Sequence, residues 1–167
     1  MRLFKRTKWS AFLLPLIFIA RAYGLVNIKQ ELPISIGATE AAVLEKLGRP
    51  IKTDSEWIFY DENGAPHYYV EFRKHIVSQV KISNLSPRGD RTEKVVNGLT
   101  LRDSYRQWIK VLGKPAKIIP ADSGSTVLWQ TKTLWIGLSV DSTTHKNTWF
   151  WIVQPDSKLD QHKGARG

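Results

Sequence analysis

Six side chains carry the chemistry this sequence offers: Tyr69, Glu71 and Arg73 at alternate positions of one run, and Trp135, Trp149 and Trp151 further on. Alternation decides where they point, because residues two apart in a strand share a face. Tyr68, Val70 and Phe72 fill one side of their strand, so Tyr69, Glu71 and Arg73 take the other. Leu134, Ile136, Leu138 and Val140 form an aliphatic side, which turns Trp135 outward. Trp149 and Trp151 share one face and Phe150 and Ile152 the opposite one, so one aromatic set of that strand also faces out. Aromatics interspersed with charge on an open sheet face have the composition of protein-binding hot spots. The rings would supply buried area, and Arg73 and Glu71 orientation. The same rings would serve a small-ligand receptor as stacking platforms for a glycan or cell-wall fragment.

Catalysis finds little support. The four histidines, His67, His75, His145 and His162, lie far apart, and none has a second His or Cys at metal-ligand spacing. There is no cysteine nucleophile, no Gly-x-Ser-x-Gly elbow and no distinctive carboxylate pair. The chain is expected to be no enzyme and to hold no metal and no cofactor. Asp54-Ser55 and Asp122-Ser123 recur before corresponding strands and suit turns, as does Arg88-Gly89-Asp90 in a solvated linker.

The N-terminus has the three parts of a secretory signal. Arg2, Lys5, Arg6 and Lys8 precede an apolar run over residues 10–20, and Ala20 and Ala22 supply the small residues of a cleavage site. The run falls short of the ~20 residues that cross a bilayer. Residues 1–22 are therefore predicted to be a signal peptide cleaved near Ala22, leaving a periplasmic or secreted protein. Five of the 25 Lys and Arg lie in that segment, so 20 remain against 15 acidic residues, a net charge of +5. These charges form no basic run, and an exported chain meets little nucleic acid, so no nucleic-acid partner is expected. The sequence contains no cysteine. Packing alone must hold the fold, and with no lipidation site a stable membrane anchor is not expected. The polar, aperiodic tail at residues 156–167 is predicted to be disordered.

The elements that position these side chains come from a repeat. Shifted by 65 residues, Ile36 aligns with Leu101, Thr39 with Ser104, Val43 with Trp108, Leu44 with Ile109, and Leu47 with Leu112. Both copies end in Gly-x-Pro, at Gly48 to Pro50 and Gly113 to Pro115. One supersecondary unit is used twice. Thr39 and Ser104 are good helix N-caps, Gln107 completes a capping box, and each Gly-x-Pro supplies a left-handed stop. A helix of about nine residues is unstable alone in water, so each apolar stripe must lie on a sheet. Three strands follow each helix: residues 56–60, 68–73 and 77–82 in the first copy, and 126–130, 134–140 and 148–153 in the second. Residues 118–125 read as a loop. Trp57 and Trp129 open equivalent strands and are predicted to cover the helix base, with Trp108 in the core.

The expected fold is α+β: two tandem helix–three-strand antiparallel units, with the helices packed on one face of the sheets. Residues 32–84 form the first unit, 85–97 a polar linker and 98–155 the second unit. Because one unit is marginal on surface-to-volume grounds, edge-to-edge pairing would protect both.

Ile36-Gly37-Ala38-Thr39, the helix ending Leu47-Gly48-Arg49-Pro50, and the strand opening at Trp57 resemble the SmpA/OmlA family. The second copy keeps Leu112-Gly113-Lys114-Pro115 and Trp129. The tandem arrangement is similar to that of the β-lactamase inhibitor proteins. The resemblance spans residues 32–155 and implies a non-catalytic module of the bacterial cell envelope. Its partner would be a protein, met either as an outer-membrane assembly accessory or as an inhibitor meets a hydrolase.

Overall fold

The computed structural model describes residues 27–52, 56–61, 64–84 and 92–155. The expected signal peptide, the tail, and the turns at Asp54-Ser55 and Arg88-Gly89-Asp90 lie outside these residues.

The two helices form where their punctuation places them. Helix α1 spans Glu40–Leu47 and α2 spans Tyr105–Leu112. Thr39 Oγ1 accepts from the Ala42 N–H at 3.3 Å, and Ser104 Oγ from the Gln107 N–H at 3.2 Å. Gly48 and Gly113 end the helices at φ 76° and 75°, a region costly for residues with a Cβ.

Eight strands follow: β1 (Ile51–Lys52), β2 (Glu56–Tyr60), β3 (Pro66–Arg73), β4 (Ile76–Ser83), β5 (Lys117–Ala121), β6 (Gly124–Gln130), β7 (Trp135–Asp141) and β8 (Asn147–Val153). They make a single antiparallel sheet in the order β1-β2-β3-β4-β8-β7-β6-β5. This overturns the expected fold class of two helix–three-strand units. The molecule is mostly one continuous eight-stranded sheet carrying two short helices. Two strands escaped the sequence reading. Ile51 and Lys52 pair with Ile58 and Trp57, a ladder too short to show as alternation. The segment read as a loop contains β5, where Ile118 and Ile119 pair with Val127 and Thr126. Pro120 argues against a central strand, but β5 is an edge, where its missing N–H removes no ladder bond. The join lies between β4 and β8, from Gln79↔Val153 to Ser83↔Trp149.

One face of the sheet carries the core. Trp57, Val70, Val80, Ile152, Ile136 and Trp129 are register neighbours across six strands, and Phe59, Tyr68, Ile82, Phe150, Leu138 and Val127 make a parallel row. All twelve are buried in one cluster with Val43 of α1 and with Trp108 and Leu112 of α2. Trp108 lies against Trp129 and Phe150, with ring centroids 6.0 and 5.7 Å away. Trp129 does cover the base of α2, its Nε1–H donating to the Gly113 carbonyl at 2.9 Å. Trp57 is buried in the same cluster as Val43 and packs on Phe72, with ring centroids 4.5 Å apart.

Two expectations about packing fail. Leu44 is 41% exposed, so α1 buries Val43 where a three-residue stripe was expected. The expected polar linker ends in core residues, because Val95 and Val96 are buried, as are Leu32 and Ile34 before α1. The Glu31 N–H donates to the Val95 carbonyl and the Val95 N–H to the Leu99 carbonyl, fastening these segments together. The side chains of Leu32, Ile34, Val95 and Val96 join the same buried cluster as Val43, Trp108 and Leu112.

Candidate functional site

The face opposite the core has no helix residues in its rows. Its central row runs Ile58, Tyr69, Lys81, Trp151, Gly137, Leu128, and the row beside it Glu56, Glu71, Gln79, Val153, Trp135, Gln130. A third row on the other side joins Ser83, Trp149, Ser139 and Thr126. Tyr69, Glu71, Trp135, Trp149 and Trp151 therefore share one face, and each is half-buried. Arg73 stands apart. A bulge between Glu71 and Phe72 precedes it, and it sits exposed at the end of β3 opposite Ile76.

Trp151 is held flat against the sheet. A Cβ on Gly137 would lie 1.9 Å from Trp151 Cε2, so only glycine lets the indole rest on the neighbouring backbone. Tyr69 reaches Trp149 across β4, with ring centroids 5.3 Å apart and planes tilted by 58°. Trp135 and Trp151 lie on the same face in the neighbouring rows, so aromatic side chains stand on both sides of the β4–β8 join.

Beside it lies an ionic cluster that the sequence reading missed. Lys81 Nζ is 2.8 Å from Glu71 and 3.0 Å from Glu56, and Gln79 Nε2 donates to Glu71 Oε1 at 2.7 Å. Partial burial pulls the Lys81 ammonium down, but hydrogen bonds to Glu71 and Glu56 outweigh it and hold its pKa above the usual lysine range. Burial, followed by the Glu56 charge, raises the Tyr69 phenol. Glu71 is thus engaged within its own face. The signal was present in Lys81 itself, flanked by core residues Val80 and Ile82 and so placed on the other face.

His67 lies in β3 and is 7% exposed. Its Nε2 is 2.8 Å from Glu93 Oε1, and the Tyr68 hydroxyl donates to Glu93 Oε2 at 3.2 Å. Burial, then the Glu93 charge, pushes the Tyr68 phenol far up. Among the described residues no group of three or more His, Cys, Asp or Glu side chains could hold a metal ion.

No protein-family model and no curated protein matches the chain. Solved structures do. An extracellular protein containing an SCP domain from Bacillus anthracis str. Ames matches at TM-score 0.54 and 14% identity, over 76% of this chain and 46% of that one. A cysteine-rich secretory protein from Staphylococcus aureus subsp. aureus Mu50 matches at 0.50 and 13%, over 71% and 43%. A DUF4309 family protein from Bacillus subtilis subsp. subtilis str. 168 matches at 0.49 and 11%, over 71% and 79%. The chain spans less than half the length of the first two. At these identities the likeness shows the fold alone. Structures with this fold thus include extracellular proteins, and among the described residues no helix is long and apolar enough to cross a membrane.

Proposed function

We propose that this chain is an exported, non-catalytic module that holds a protein partner against the helix-free face of its sheet. The observation that carries the proposal is the cluster of Tyr69, Trp149, Trp151 and Trp135, half-buried on one face across the β4–β8 join. Half-buried indoles on a rigid sheet lose little side-chain freedom on docking and offer large apolar area, which is how hot spots gain their energy. The Lys81–Glu71–Glu56 cluster lies directly beside these rings and would orient the partner rather than supply most of the affinity. The extracellular fold neighbours and the signal-like N-terminus support a periplasmic or secreted setting, after cleavage near Ala22. There the partner would be an outer-membrane assembly component or a hydrolase to be inhibited, as the SmpA/OmlA and inhibitor resemblances imply.

The test is capture from envelope extract by the wild type and by a Trp135→Ala/Trp149→Ala variant. A partner retained by the wild type and lost from the variant is expected. Equal recovery of every captured protein by both would remove the proposal.

A further inference from the structure

We propose that a shallow hollow on the same face, beside the β5–β6 turn and the adjoining ends of β7 and β8, binds a neutral pyranose sugar. This goes beyond partner binding, since it gives the molecule a small-ligand site of its own. The hollow measures about 280 Å³, just below the range of about 300–1,000 Å³ usual for ligand pockets, which suits one ring rather than a chain. Thr126, Ser139, Asp141, Thr148 and Trp149 line it.

The register explains why it exists. Thr126, Ser139 and Trp149 are consecutive neighbours in one row, so two short hydroxyl side chains lie beside one large indole. The register shifts between Ser139 and Val140, where Thr148 is an extra residue of β8, and this bulge bends β8 at the hollow. The floor is polar and weakly committed. Thr126 Oγ1 and Ser139 Oγ are 3.4 Å apart, and Thr148 Oγ1 donates to the Ser139 carbonyl at 3.4 Å. Both contacts are long for hydroxyl hydrogen bonds, so a guest hydroxyl can compete for them.

The charge of the lining selects the guest. Asp141 is its only ionisable residue, and no lysine or arginine stands there. The Asp141 carboxylate accepts from the N–H groups of Thr144 and Thr143 at 2.6 and 3.1 Å and from the Thr144 hydroxyl at 2.8 Å. These bonds, the Thr144 N–H first, hold it below the usual carboxylate range, so the lining is anionic at neutral pH. A phosphate or uronic acid would meet like charge. A neutral pyranose has a C–H face to lay on Trp149 and an edge of hydroxyls for Thr126, Ser139 and Asp141.

Calorimetric or ligand-detected NMR titration of the full chain with N-acetylglucosamine, glucose and glucuronic acid tests this. Saturable binding of at least one neutral sugar is expected, with Kd about 1 mM and glucuronic acid weaker by about tenfold. Thr126→Val combined with Ser139→Ala should weaken the neutral sugar by about tenfold while leaving capture of a protein partner intact. Three results would overturn the proposal: no saturable binding of either neutral sugar, equal binding of glucuronic acid, or a folded double variant that binds as the wild type does. If circular dichroism shows the double variant unfolded, the contrast between neutral and acidic sugars on the wild type decides alone.

Discussion

The two halves of the sheet run through the same order of helix and four strands, yet they differ in packing and in what they present. In the first half, α1 buries Val43 alone, β1 is two residues long, and the open face carries Lys81 between Glu56 and Glu71. In the second, α2 buries Trp108 and Leu112, β5 is a full edge strand, and the open face carries Trp135, Trp149 and Trp151. The backbone plan needs only caps, stops and one alternating apolar row. The other row is free to diverge, and in this protein it is ionic around Lys81 and carries three tryptophans beyond the β4–β8 join, with Tyr69 reaching across to Trp149. That division explains how a doubled skeleton yields a single directional surface.

The largest expected effect separates the two helices. Trp108→Ala should cost about 3–5 kcal/mol in denaturant unfolding, against about 2 kcal/mol for Val43→Ala, which deletes two methyl groups. Equal losses would break the claim that α2 is anchored in the core more deeply than α1. Next comes Gly137→Val, which drives a Cβ into the Trp151 ring. A loss of about 1–3 kcal/mol is expected, with a red-shifted tryptophan emission as the indole lifts into water. Unchanged emission would mean that the ring is not held on the glycine.

Lys81→Met on the ionic side should cost only about 1 kcal/mol, because its charges are partly solvated. The loss should shrink further in about 1 M salt. A salt-independent loss would show that packing of the lysine stem, not charge, is what the side chain contributes.

The smallest effect is a pH dependence. Lys81, Tyr68 and Tyr69 all have raised pKa values, so the folded state holds their protons more tightly than the unfolded state. Their contribution is complete below the unfolded values and is lost as pH climbs through the folded ones. The unfolding midpoint should fall above about pH 10, and less steeply in Tyr68→Phe. A midpoint that stays flat up to pH 11, about one unit above the ordinary tyrosine value, would contradict this sign.

Helix punctuation was legible because it is local. Thr39, Ser104, Gly48 and Gly113 act within four residues of themselves. Alternation left open which face of the last strand is exposed, while its turning of Tyr69, Glu71 and Trp135 away from the aliphatic rows was local as well. The strand count was not, since Ile51-Lys52 is too short to alternate and Pro120 imitates a loop unless its strand is known to be an edge. Helix depth was lost for another reason. That Val43 and not Leu44 is buried shows only in the fold, where Leu32, Ile34, Val95 and Val96 also join the core from segments with no helical or strand period. The hollow beside Trp149 depends on the bulge at Thr148 and on Thr126 across the ladder, neither of which leaves a mark on neighbouring residues.

The central claim is that partners meet the aromatic side of the open face. Hydroxyl-radical footprinting of the full chain, alone and with its captured envelope partner, tests it most directly. Protection of Trp135, Trp149 and Trp151, with Leu44, Ile118 and Ile119 as reactive as before, is the predicted result. Protection confined to Leu44 or to Ile118 and Ile119, with the three indoles unchanged, would contradict it.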